Sequence, residues 1–66
     1  MKILVLGCNG MAGHLISLYF KERKHEVVGF ARQKSTLLDN TKIGDASDMN
    51  LIKKVVYEGN YDAVIN

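Results

Sequence analysis

Apolar residues fill Ile3, Leu4, Val5 and Leu6 without a break, after a single lysine at position 2. A continuous run rich in branched side chains suits a strand covered on both faces, as in a parallel sheet. The period then changes. Ala12, Leu15, Ile16 and Tyr19 recur at helical spacing with Phe20 beside them, and the segment closes on Lys21, Glu22, Arg23 and Lys24. Cations there suit the negative pole of a helix dipole. EVVGFA (Glu26–Ala31) reads as a second buried strand, and RQKSTLLDNT, polar at both ends and without a period, reads as a loop. KIGD is a minimal third strand. Ser47 or Asp48 is placed to cap a second helix whose core face is Leu51, Ile52, Val55 and Val56, with Gly59 as its left-handed C-cap. YDAVIN makes a fourth strand. A turn before HEVV ordinarily carries glycine; Lys24 stands near it, and a left-handed backbone there costs about 1 kcal/mol.

Strands that alternate with crossover helices predict an α/β chain with a parallel sheet. Between the first strand and the first helix stand Gly7, Gly10 and Gly13. Glycine is costly in regular structure, so three at this junction imply that something must approach the backbone closely. The first amides of a helix are unpaired and its dipole is positive there, which favours an anion. Gly7 permits the tight turn, Gly10 removes a side chain that would block a phosphate, and Gly13 lets the helix pack close to the sheet. The spacing is G-x-x-G-x-x-G, not the commoner G-x-G-x-x-G, and it gains its meaning from the strand before and the helix after. A nucleoside triphosphate loop is excluded, because no G-K-[ST] follows. The expected fold is the N-terminal part of a Rossmann-type sheet with strand order 3-2-1-4 and the glycine turn at the switch point.

An NAD site places an acid at the end of the second strand. Here Ala31 and Arg32 stand in its place, and Arg32, supported by Lys34 and Ser35, presents donors suited to a 2′-phosphate. NADP is therefore favoured over NAD. The competing reading makes Arg32 and Lys34 ordinary solvated loop cations.

Composition narrows the classes. The 66 residues, 47% hydrophobic and 24% charged, suit one small globular unit. A net charge of +2 with no basic stripe argues against nucleic acid. The single Cys8 excludes an internal disulfide and a cysteine-rich zinc site, and reads as a small residue filling a variable slot. His14 and His25 have no carboxylate or cysteine at metal-ligand spacing, so no metal is assigned. The apolar start is too short for a signal core or a membrane span, and the cytoplasm is the expected location.

MKILVLGCNGMAGHL, HEVVGFAR, GDASD and YDAVIN together resemble the start of an extended short-chain dehydrogenase/reductase. The likeness is greatest to the sugar-nucleotide reductase branch, the dTDP-4-dehydrorhamnose reductases, which transfer hydride to a 4-keto sugar nucleotide. The resemblance implies that the amides of Met11 and Ala12 meet the pyrophosphate. It also implies that Asp45 accepts a hydrogen bond from the adenine amino group, with Ala46 alongside. Asp45 reads equally well as a turn residue before the second helix, and Asp48 as a first-turn helix acid. Reductases of that superfamily use a Tyr-x-x-x-Lys pair, but Tyr19, Tyr57 and Tyr61 are followed at that spacing by Arg23, Tyr61 and Ile65. No catalytic residue is assigned. The chain is expected to be the N-terminal, nucleotide-binding segment of a larger protein and inactive alone. Its last strand would offer an open edge to another copy. An NAD-dependent sugar-nucleotide epimerase or dehydratase, or a non-catalytic NAD(P)-binding scaffold, remain as alternatives.

Overall fold

Alternation along the buried strands decides which side chains meet which helix. In the computed structural model, which describes Met1–Asn66, the elements are β1 (Lys2–Leu6), α1 (Met11–Glu22), β2 (Glu26–Ala31), β3 (Thr41–Ile43), α2 (Met49–Gly59) and β4 (Ala63–Ile65). All strand pairs are parallel, in the order β3-β2-β1-β4. Ile3 and Val5 of β1 and Val27 of β2 face α1, together with Cys8 and Leu38. Leu4, Val28 and Phe30 face the other way, against Leu51, Ile52, Val55 and Val56 of α2. Those four helix positions are the ones their spacing predicts.

Helix α1 departs from its apolar pattern. Its buried residue is Ser17, flanked by the half-buried Ile16 and Phe20, whereas Leu15 and Tyr19 are 60% and 50% exposed. The cause lies one turn earlier. A Cβ on Gly13 would lie deep inside the contact distance of the Gly7 carbonyl oxygen and 3.0 Å from Cys8 Cα. A helix that approaches its own entry turn so closely needs small residues on that face, so Gly13 and Ser17 occupy it and the larger side chains move to the flanks. The Ser17 hydroxyl donates to the Gly13 carbonyl at 2.7 Å, which satisfies it without a distant partner.

The connections differ from expectation in detail. Lys24 is left-handed, with φ 68°, as the missing glycine suggested. At the end of α2 the left-handed residue is Asn60 (φ 52°, ψ 48°), not Gly59, which is still helical. A Cβ on Gly59 would collide with the Tyr61 ring, so that glycine provides space and leaves the cap to asparagine. Strand β3 begins at Thr41 and ends at Ile43, leaving Gly44 and Asp45 free to turn. The segment between β2 and β3 is anchored: the Ser35 Oγ accepts from the amides of Leu37 (3.0 Å) and Leu38 (3.1 Å), and Leu38 is buried against the α1 side of the sheet. No helix is long and apolar enough to cross a membrane.

Candidate functional site

The carboxyl ends of β1, β2 and β3 meet around the turn that enters α1. Gly7 holds φ 74°, a conformation costly for any other residue. Its amide donates to the Phe30 carbonyl at 2.7 Å, and the Gly10 amide donates back to the Gly7 carbonyl at 3.0 Å, which closes the turn. Gly10 is the N-cap of α1, and it supplies no side-chain cap. The Gly10 carbonyl accepts the amide of His14 at 2.8 Å, but the amides of Met11, Ala12 and Gly13 have no acceptor within the protein. No acid occupies the first turn. Three unspent donors at the positive pole of a helix make a surface suited to an anion.

That surface opens onto a groove of about 210 Å³ with three walls. Gly7, Asn9 and Gly10 form the first, Phe30, Ala31 and Arg32 the second, and Gly44, Asp45 and Ala46 the third. A side chain at Gly10 would meet nothing nearer than the Gly7 carbonyl oxygen at 3.4 Å. The fold therefore tolerates a Cβ there, and what the bare position preserves is space in the groove. Larger clefts, of about 400 Å³ beneath α2 and about 470 Å³ beside Leu15 and Ile65, share no residue with this turn. No group of three or more His, Cys, Asp and Glu side chains is placed to hold a metal.

Two charged residues face each other across the groove. The Arg32 guanidinium, with its side chain 79% exposed, lies 3.5 Å from the Asp45 carboxylate. The other oxygen of Asp45 accepts both the amide and the hydroxyl of Ser47, each at 2.9 Å. These bonds from Ser47, with a smaller contribution from Arg32, hold the Asp45 carboxyl below its ordinary value. Asp45 thus shapes the turn with one oxygen and presents the other to the groove. Asp48 is the N-cap of α2, accepting the Leu51 amide at 3.2 Å.

The remaining site candidates separate. Met11, Ala12 and Gly13 contribute their amides. Lys34 is exposed and lines no part of the groove. Ser35, expected beside Arg32 as a phosphate donor, is 6% exposed, lines no part of the groove, and its oxygen accepts the Leu37 and Leu38 amides. Cys8 is 1% exposed, and its sulfur fills the space that a side chain at Gly29 would need. Burial pushes its thiol up, so it is kept as an unreactive thiol. One groove residue escaped the sequence reading. The Asn9 side-chain amide donates to the Gln33 carbonyl at 2.8 Å, tying the glycine turn to the segment that carries Arg32. Its only signal was an amide side chain in an otherwise small-residue turn.

A family model described as the NAD dependent epimerase/dehydratase family matches residues 3–66. No curated protein matches the chain.

Proposed function

Because this chain belongs to the NAD dependent epimerase/dehydratase family, we propose that its groove binds a nicotinamide dinucleotide, with NADP preferred. We further propose that it serves an NADP-dependent reductase of 4-keto sugar nucleotides, of the dTDP-4-dehydrorhamnose reductase type. The observation that carries the first proposal is the set of unspent amides on Met11, Ala12 and Gly13, beside a Gly10 with no side chain. In this reading the Met11 and Ala12 amides hold the pyrophosphate, and the helix dipole adds to them. Arg32 meets the 2′-phosphate from just past the end of β2, which closes on Phe30 and Ala31 without an acid, and Lys34, outside the groove, adds only its charge. Asp45 accepts from the adenine amino group through the oxygen that Ser47 leaves unused, and Ala46 lies beside the ring.

A bound nicotinamide dinucleotide supplies the hydride carrier. The residues of this chain bind and orient it, because no Tyr-x-x-x-Lys pair occurs among them. The proton-donating pair and the sugar-nucleotide pocket are accordingly proposed for segments other than these 66 residues. One observation favours a second reading, an NAD-dependent epimerase or dehydratase. Arg32 already has a carboxylate partner in Asp45, whose charge opposes a 2′-phosphate.

Titration with NADPH and NADH separates the readings. A phosphate held by a guanidinium contributes roughly 1.5–3 kcal/mol, or about ten- to a hundredfold in affinity. Arg32→Ala is expected to lose that factor for NADPH and to leave NADH nearly unchanged. An equal effect on both cofactors removes the NADP assignment. Failure of the unsubstituted protein to bind either one removes the dinucleotide reading itself.

A further inference from the structure

We infer that Asn9 is a positioning residue for cofactor discrimination: by holding the Gln33 carbonyl it fixes the backbone that carries Arg32. The inference rests on the dinucleotide reading above, and on Arg32 facing the 2′ position.

The Arg32 side chain has little to hold it. It is 79% exposed, and its one ion pair, with Asp45, spans 3.5 Å. Exposed pairs of this kind restrain a long side chain weakly. What fixes the residue is the backbone on either side. Before it, the Ala31 carbonyl accepts the Gly44 amide at 3.0 Å, the last bond between the second and third strands. After it, the Gln33 carbonyl accepts the Asn9 side-chain amide at 2.8 Å. The next anchor along the chain is Ser35, whose amide donates to the Thr41 hydroxyl at 3.2 Å. Without Asn9, the stretch from Arg32 to Lys34 makes no hydrogen bond to the rest of the protein other than the Arg32–Asp45 pair.

The donor also comes from the right place. Asn9 lies between Gly7, whose turn is closed by two backbone hydrogen bonds, and Gly10, the first residue of the anion-binding surface. The bond therefore sets the distance between the amides that meet the pyrophosphate and the guanidinium that meets the 2′-phosphate. Only a ligand that uses both ends feels that distance. NADPH does, and NADH, with no phosphate at the 2′ position, does not.

The experiment is a double-mutant cycle read as the ratio of NADPH to NADH affinity. Asn9→Ala is expected to lower NADPH affinity about three- to tenfold, the range of one neutral hydrogen bond, with NADH changed less than about twofold. In an Arg32→Ala background the same substitution should leave the ratio unchanged, because the residue through which Asn9 acts is gone. Asn9→Ser, polar but one bond shorter, should behave like Asn9→Ala and guards against a variant that folds poorly. A ratio shifted by Arg32→Ala but not by either Asn9 variant would overturn the inference and leave the NADP reading standing. A further ratio shift from Asn9→Ala when Arg32 is absent overturns it too, since Asn9 would then act on its own. A ratio insensitive to Arg32→Ala removes the underlying reading, and this inference with it.

Discussion

The glycines of the entry turn have separable tasks, and substitutions at Gly13 and Gly10 should move stability in opposite directions. At Gly13 an added Cβ would meet three backbone atoms: the Gly7 oxygen deep inside contact distance, with Gly7 C and Cys8 Cα each at 3.0 Å. Backbone does not swing aside as a flexible side chain would. Nor does the turn have slack, since Gly7 sits at φ 74° with its amide 2.7 Å from the Phe30 carbonyl. Overpacking of this sort costs about 1–3 kcal/mol and at times more. The helix propensity of alanine over glycine returns roughly 0.8–1 kcal/mol. A clash with backbone belongs in the upper part of the overpacking range, about 2–3 kcal/mol, so a net loss of about 1–2 kcal/mol remains for Gly13→Ala. At about 4–8 °C per kcal/mol for a chain this short, the melting temperature should fall by roughly 4–16 °C.

Gly10→Ser should do the reverse. Gly10 has φ −70° and ψ 164°, a backbone any residue adopts, and a Cβ there meets the Gly7 oxygen at 3.4 Å, an ordinary contact. Serine is a stronger N-cap than glycine by a few tenths of a kcal/mol, because its oxygen accepts amides at the second or third helical position. Those positions are Ala12 and Gly13, whose amides are otherwise unspent. The substitution should hold or slightly raise the melting temperature while consuming donors that an anion needs. A lost charge-assisted hydrogen bond corresponds to roughly tenfold or more in affinity. Circular dichroism melting and cofactor titration on the same samples provide the assay. An unchanged melting temperature for Gly13→Ala, or undiminished dinucleotide binding by Gly10→Ser, refutes the division of tasks.

Lys24→Gly should stabilise the protein, since lysine at φ 68° carries a strain of about 1 kcal/mol that glycine lacks; thermal melting should register a rise of several degrees, and a fall would show that the lysine side chain contributes more than the strain costs. Asp45 makes part of the stability dependent on acid. Its folded-state pKa is depressed, chiefly by Ser47, so its contribution is complete above the ordinary carboxylate value of about 3.9 and is lost as pH falls through the lower folded value. Asp45→Asn should therefore differ most from the parent near neutral pH and begin to converge with it only as pH falls below about 4 in denaturant titrations. Parallel curves across that range would assign the difference to something other than the carboxylate charge.

The sheet was legible because each strand carries its own mark, a short apolar run between punctuation, and because crossover helices leave a parallel order as the only economical path. Elsewhere the determining contact is not local. The helical period of α1 marks Leu15 and Tyr19 as core residues, yet close approach at Gly13 admits only small side chains on that face. Period reports which residues are apolar; it does not report how near the helix comes. Leu38 has no period at all, and it is buried because Ser35 turns the chain back over the sheet. The choice between Gly59 and Asn60 as the left-handed residue was decided by the Tyr61 ring.

The site divides in the same way. Gly7 and Gly13 announce demands that only glycine meets, and Gly10 leaves groove space open, so all three can be read from spacing and flanking elements. The pairing of Arg32 with Asp45, and of Asn9 with Gln33, belongs to the sheet instead. In the parallel register Ala31 stands opposite Ile43, so the chains leave β2 and β3 level with each other, Arg32 on one and Gly44 then Asp45 on the other. A slip of one residue would break that level and turn the β3 side chains to the opposite face. Register thus sets which residue of the third strand's end faces Arg32. Local pattern names the strands that pair but leaves their register open, which is why Arg32, Asp45 and Ala46 could be named from sequence while the Arg32–Asp45 and Asn9–Gln33 contacts could not.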